Sequence, residues 1–251
     1  MKIDYPAQDQ IPKLRKLWKE AFGDDDAFLD TFYSTAFAPD RCRCVTMDGN
    51  PVAALYWFDC SFDGKPIAYI YAVATKEVYR GKGLCRALME NAHSHLTYLG
   101  YAGAVLVPGT QALFGMYETF GYRTCCMISE FPCAAAEEPV SPRAIDTEEF
   151  CALRRKFLSA GSVLQEGVNL EFLQTMAKFY AGEDFLLTVA DTDGAFFAPE
   201  LLGNVHAAPS ILTAFGKKEG VFRTPGGDKP YAMYKALGAP ELPRYFGFAF
   251  D

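Results

Sequence analysis

Between an apolar run, Ile67 to Thr75, and an amphipathic pattern that opens at Leu84 lies Val78-Tyr-Arg-Gly-Lys-Gly-Leu-Cys-Arg-Ala-Leu88. Glycines at 81 and 83 strip the turn of side chains where a helix begins. The first backbone N–H groups of that helix are therefore left to close on an anion. The positive end of the helix dipole, with Arg80, Lys82 and Arg86 beside it, favours a group carrying more than one negative charge. A diphosphate fits that description. The unit this dictates is strand, glycine turn, helix.

Two diphosphate motifs fail on spacing. A dinucleotide fingerprint needs a third glycine three residues after the second, and position 86 is Arg. A Walker-type loop needs Ser or Thr after Gly-Lys, and Lys82 is followed by Gly83. Further on, Leu113-Phe-Gly-Met-Tyr-Glu-Thr-Phe-Gly-Tyr122 comes after a second strand-like run, Ala104 to Pro108.

The first segment, Arg80-Gly81-Lys82-Gly83-Leu84-Cys85, resembles the pyrophosphate signature Gln/Arg-x-x-Gly-x-Gly/Ala of the GNAT superfamily of acyl-CoA N-acyltransferases, with Cys85 replacing the final small residue. The second resembles that superfamily's Tyr-bearing helix, Leu/Met-Tyr-Glu-x-x-Gly-Phe/Tyr. The resemblance implies an α+β fold built on a mixed α/β sheet, with acetyl-CoA as co-substrate and no metal. It implies that Arg80, Gly81, Lys82, Gly83, Leu84, Cys85 and Arg86 hold the pyrophosphate. It further implies that the pantetheine arm pairs with the backbone of Val73, Ala74 and Thr75, and that Tyr117 is the general acid for the leaving sulfur. The acceptor it implies is a primary amine, on a small molecule or a peptide, attacking directly in a ternary complex.

Half of the residues are hydrophobic, enough for a sizeable core, and the formal charge of −7 argues against nucleic acid as partner. No apolar run approaches the ~20 residues that span a bilayer, and the first residues carry no signal-peptide core, so the expected location is the cytoplasm. None of the eight cysteines forms a C-x-x-C pair, and three histidines add no zinc-like cluster. Cys42 and Cys44 share one face of a strand pattern, whereas adjacent Cys125 and Cys126 are expected on opposite faces.

The pattern predicts a strand at Met1–Pro6 and a helix through Leu14, Leu17 and Trp18, with Asp9 as cap and Gly23 as stop. Asp24-Asp-Asp26 caps a second helix. An antiparallel meander comes next over 41–47, 52–62 and 66–75, turning at Asp48-Gly49-Asn50 and Asp63-Gly64. The helix after the glycine turn buries Leu84, Leu88, Ala92, Leu96 and Leu99, and leaves His93 and His95 as exposed or capping residues. A strand at 101–108, the Tyr117 helix and a closing strand at 122–132 complete a first domain, 1–133. Residues 134–143 read as a linker. Residues 144–251 read as a second, degenerate lobe of the same kind, with strands at 185–190, 194–200, 220–223, 231–237 and 244–250 and no glycine turn. The layout resembles the two-lobed enhanced-intracellular-survival type of acetyltransferase without its third domain.

Several questions stay open at this level. The base that neutralises the amine is Asp59, Glu118, Glu130 or the terminal carboxylate of Asp251. Tyr56, Trp57, Phe58, Phe62, Tyr69 and Tyr71 either line an acceptor pocket or build the core. The second lobe could wall the acceptor site, cover it or support a homodimer. The rival to an enzyme is a non-catalytic acyl-CoA-binding module that keeps the glycine turn.

Overall fold

A computed structural model describes residues 1–190, 195–238 and 241–249. The chain forms two compact units that do not respect chain order. The first holds residues 1–106, 110–123 and 234–241; the second holds 107–109, 124–233 and 242–251.

In the first unit the elements run β1 (Lys2–Asp4), α1 (Ile11–Phe22), α2 (Asp26–Thr35), β2 (Cys42–Met47), β3 (Asn50–Phe62), β4 (Lys65–Thr75), α3 (Leu84–Tyr98), β5 (Gly103–Leu106) and α4 (Gln111–Glu118). The sheet order is β1-β2-β3-β4-β5, antiparallel except for the parallel β4–β5 pair. Tight turns at Asp48-Gly49 and Asp63-Gly64 have positive φ at both positions, the hairpin geometry that matches strand twist. Gly23 and Gly100 end α1 and α3 in the left-handed conformation. Asp25 caps α2 by accepting from Phe28 N, but the residue at the head of α1 is Gln10, not Asp9.

Leu14, Leu17 and Trp18 of α1 and Leu88, Met89, Ala92 and Leu96 of α3 are buried. His93 is buried with them, contrary to expectation: it lies at helical spacing from Met89 and Leu96, on the packed face. Leu99, by contrast, is exposed. Of the six aromatics in doubt, Tyr56, Trp57, Phe58, Phe62 and Tyr69 belong to the core, and only Tyr71 is half-buried.

The second unit contains β6 (Arg123–Ala134), β7 (Arg143–Ile145), α5 (Thr147–Phe157), β8 (Leu164–Gln165), α6 (Val168–Gln174), β9 (Ala177–Ala181), β10 (Phe185–Ala190), β11 (Phe196–Ala198), β12 (Glu200–Gly203), α7 (Ala208–Ala214), β13 (Glu219–Pro225) and most of β14 (Lys229–Ala236). Residues 128–134 of β6 pair with β13 along seven antiparallel positions, which is why they pack with this unit. Strands β7, β9, β10 and β12 form an antiparallel sheet in that order. This repeats the first unit: one strand, two helices, then three antiparallel strands in spatial sequence. The repeat ends at β12, which leads through Asn204 into a seven-residue helix with no glycine turn.

Three expectations fail here. Residues 244–249 form no strand; they hold an isolated bridge from Tyr245 to Ser162, because their backbone finds no strand to pair with. The strand expected at 194–200 is split into β11 and β12, with Gly194 outside the described residues, as is Phe250. Cys125 and Cys126 do not diverge, since their sulfurs lie 3.2 Å apart. At the centre of this unit Arg154 and Glu200 form a fully buried pair through two hydrogen bonds of 2.8 and 2.9 Å, and Tyr245 donates to the same carboxylate at 3.0 Å. The additional donor satisfies a charge that burial would otherwise penalise.

Residues 234–241 complete the first unit. The Tyr234 ring fills the space above Gly103, where a Cβ would lie 1.9 Å from the phenol oxygen. Gly103→Ala is therefore expected to lower stability by about 1–3 kcal/mol through overpacking. Urea unfolding reads this, and an unchanged midpoint would place the Tyr234 ring elsewhere.

Candidate active site

Gly81 and Gly83 adopt φ of +73° and +78°, and a Cβ on either would touch nothing within 4 Å. Conformation, not crowding, demands glycine at both. Gly83 offers α3 no side-chain cap, while its carbonyl accepts from Ala87 N at 3.0 Å. The N–H groups of Leu84, Cys85 and Arg86 thus form the open first turn of a fifteen-residue helix. Arg80 Nε donates to Thr75 O at 3.1 Å, fastening the turn to the end of β4, and Lys82 lies over the Tyr79 ring at 5.2 Å. This is a cradle that fits a diphosphate.

The strand that feeds this turn is irregular. Ala54 pairs with Ala74 but Tyr56 pairs with Tyr71, so Ala72 and Val73 stand opposite Leu55 alone. Ala72 takes φ of +49°, a left-handed conformation that costs a non-glycine residue about 1–2 kcal/mol. On the opposite edge, β4–β5 pairing covers only Ile67 to Tyr69 against Gly103 to Val105. Among the described residues, Val73 and Ala74 therefore have no strand partner on that side, which leaves a backbone edge beside the bulge. Thr75 is less free than its neighbours because Arg80 already occupies its carbonyl.

Tyr117 lies on the buried face of α4, with its ring edge-on to Phe120 at 6.0 Å and Tyr122 at 5.8 Å. Its hydroxyl takes no hydrogen bond from the described residues. Burial pushes its pKa up, and the neighbouring Cys85 adds to the shift, which places the phenol close to the second residue of α3. A phenol held neutral is a hydrogen-bond donor. At ordinary values, near ~10 for tyrosine and ~8.5 for a thiol, complete transfer to a thiolate is uphill by about 2 kcal/mol. Donation to a sulfur that gains charge only as its bond breaks is the role this environment suits.

Arg86, grouped by sequence with the phosphate cations, points its fork elsewhere. It donates to Thr119 O at 3.1 Å and to Thr119 Oγ1 at 2.9 Å. Behind Tyr117, His93 Nε2 meets the Tyr122 hydroxyl at 2.9 Å. Burial, and secondarily the Lys235 ammonium, depress the His93 pKa to about 4.

The carboxylates sort by position. Asp59 is held by three hydrogen bonds from Arg41 and one from the Tyr101 hydroxyl. It sits opposite Ala68, four residues or about 13 Å along the strand from the bulge. Glu118 is exposed, and Glu130 lies in the second unit, bonded by Arg223 and Lys229. Asp251 is outside the described residues. Sequence reasoning missed Asp24. Asp25 caps α2 and Asp26 pairs with Lys19, but Asp24 accepts from Trp18 Nε1 at 2.7 Å. Burial raises the Tyr71 pKa and the Asp24 charge raises it further, so this carboxylate stands near the residue that enters the bulge.

Residues 2–125 match the family model of the acetyltransferase (GNAT) domain. This part of the chain is a GNAT acetyltransferase domain. The whole described fold is similar to a GCN5-related N-acetyltransferase from Kribbella flavida, at 18% identity and a TM-score of 0.74, covering 95% of this chain and 71% of that one. It is similar to Eis1 from Mycobacterium abscessus at 12% identity and a TM-score of 0.67, covering 94% and 74%. A putative acetyltransferase from Pyrococcus horikoshii gives 14% identity and a TM-score of 0.62, covering 98% and 91%. At these identities the likeness establishes fold. No curated protein matches the sequence.

Within the GNAT domain, His93 makes a pH prediction. Its folded pKa near 4 is below the ordinary 6.5, so the unfolded chain binds the proton more readily. Its stabilising effect is complete above about pH 6.5 and is lost as pH falls toward 4. Between pH 7 and 4.5 the wild-type protein should lose about 2–3 kcal/mol more than His93→Gln. Parallel denaturant titrations of the two proteins test this, and equal losses would refute it.

Proposed function

We propose that the GNAT domain transfers an acetyl group from acetyl-CoA to a primary amine by direct attack. The observation that carries this reading is the left-handed bulge at Ala72, set between an unpaired β4 edge and the open first turn of α3. The turn takes the diphosphate through the N–H groups of Leu84, Cys85 and Arg86, helped by Arg80 and Lys82. The pantetheine amides pair with Val73 and Ala74, which puts the thioester beside the bulge and Tyr117 near its sulfur. Backbone pairing of this kind orders the arm without relying on side chains.

In the reaction the amine nitrogen bonds to the thioester carbon, the carbon–sulfur bond breaks, and the Tyr117 hydroxyl donates to the departing sulfur. The nitrogen sheds its proton to solvent or a carboxylate. A lysine-like amine costs about 4–5 kcal/mol to neutralise at pH 7, so a nearby anion that gathers the ammonium form raises its local concentration. Asp24 is the carboxylate placed for that task, with Tyr71 and Trp18 as walls at a ring separation of 5.6 Å. No cysteine is needed as a covalent relay: Cys85 is the thiol beside Tyr117, and burial raises its pKa, which disfavours the nucleophilic thiolate.

Free-CoA release from acetyl-CoA, measured against polyamines, amino acids, aminoglycosides and lysine peptides, tests the proposal. Tyr117→Phe should lower kcat at least tenfold, and Asp24→Asn should raise the KM of the amine without weakening acetyl-CoA binding. Tight calorimetric binding with no turnover across the panel would favour a binding module. Absence of acetyl-CoA binding would end the proposal.

A further inference from the structure

We propose that Arg86 is a positioning residue for Tyr117 and not a ligand of the pyrophosphate. This rests on the reading of Tyr117 as donor to the leaving sulfur. By charge and place, third in α3 beside the glycine turn, Arg86 belongs with the phosphate cations. Its contacts assign it differently. The fork closes on Thr119 through the backbone carbonyl at 3.1 Å and the hydroxyl at 2.9 Å, and the guanidinium carbon lies 4.7 Å from the centre of the Phe120 ring. Glu90, one turn along α3, approaches the same guanidinium at 4.0 Å.

Thr119 is the residue that ends α4, two positions after Tyr117. The next carbonyl, Phe120 O, accepts from Lys235 Nζ at 2.6 Å. Two cations from different elements therefore grip consecutive carbonyls at the negative end of the helix dipole. Phe120, clamped from above by Arg86, is the ring against which Tyr117 stands edge-on. The Tyr117 carbonyl itself accepts from Phe120 N at 2.9 Å and Tyr122 N at 3.2 Å, so any roll of this helix end carries Tyr117 with it. Arg86 thus ties the helix bearing the acid to the helix whose first turn holds the cofactor, and fixes the reach from phenol to sulfur. Among the described residues Arg80 and Lys82 make no such tie to α4, which leaves them for the phosphates.

The test uses Arg86→Met, which keeps the stem and removes the fork, and Thr119→Val, which removes one acceptor and leaves the charge in place. Acetyl-CoA affinity is read by calorimetry, which needs no acceptor and also reports that the site has folded. Turnover is read as CoA release with the most active amine of the panel. Arg86→Met is expected to bind acetyl-CoA within about threefold of wild type while kcat falls about 10- to 100-fold, the penalty typical of a small misplacement of a catalytic group. Thr119→Val should change in the same direction, and Arg86→Met should slow Tyr117→Phe no further. Lys82→Met should show the opposite split, with weaker binding and retained kcat. Tenfold weaker acetyl-CoA binding by Arg86→Met with kcat intact would overturn the proposal, as would no change in either quantity. If Tyr117→Phe turns over like wild type, the reading of Tyr117 has failed; if it is slow and Arg86→Met is not, only the role of Arg86 has.

Discussion

A β-strand in a sheet has both backbone edges occupied, and a strand that must also hold a substrate needs one edge released without losing its place. In β4 that conflict is resolved within eleven residues. Its first half pairs on both sides, with β3 and with β5, and lies in the core. After Tyr69 the pairing with β5 ends, and the extra residue at Ala72 turns the strand while pairing with β3 resumes at Ala74. The chain then enters the glycine turn, whose position is fixed by Arg80 on Thr75. Backbone edge, bulge and anion cradle are all placed by this one change in pairing, and Tyr117 is brought to it through the helix that the cradle opens.

The second unit shows what the same strand order becomes without that conflict. β12 occupies the place of β4 in the repeated order but pairs with β10 over four positions without a bulge. It continues into a short helix instead of a long one with an open first turn. At its centre are Arg154, Glu200 and Tyr245, a closed set of charges and donors, in contrast to the buried phenol of Tyr117 and the open N–H groups of the first unit. Conformational irregularity tends to persist only where it has a use. Its absence from the described part of this repeated order agrees with a supporting role for the second unit.

How much of this was legible depends on the kind of residue that carries it. Gly81 and Gly83 announced themselves because only glycine takes their conformation freely, and the hairpin turns did so for the same reason. The bulge left no trace, since Ala72 is an alanine held left-handed by the pairing on either side of it. Asp24 was hidden by its neighbours: three successive acids read as a helix cap, and only the approach of Trp18 and Tyr71 separates the first from the other two. His93 was readable and misread, because its spacing from Met89 and Leu96 puts it on the buried face. Arg86 was misjudged from charge alone. The aromatic segment at 244–249 alternates like a strand and is buried like one, but lacks a partner.

The composition of the first unit sets an order of events for a growing chain. Its glycine turn, bulge and Tyr117 are all made within the first 123 residues, yet Gly103 is covered by Tyr234 and α4 is gripped by Lys235. At ordinary synthesis rates of about 5–20 residues per second, the segment that finishes this unit emerges some seconds after the rest of it. Until then the helix carrying Tyr117 lacks one of its two clamps and Gly103 faces an unfilled space. The last strand to be made therefore acts as a latch on the first domain to be built, and a chain interrupted before it would carry every recognisable motif of the site without the packing that fixes them.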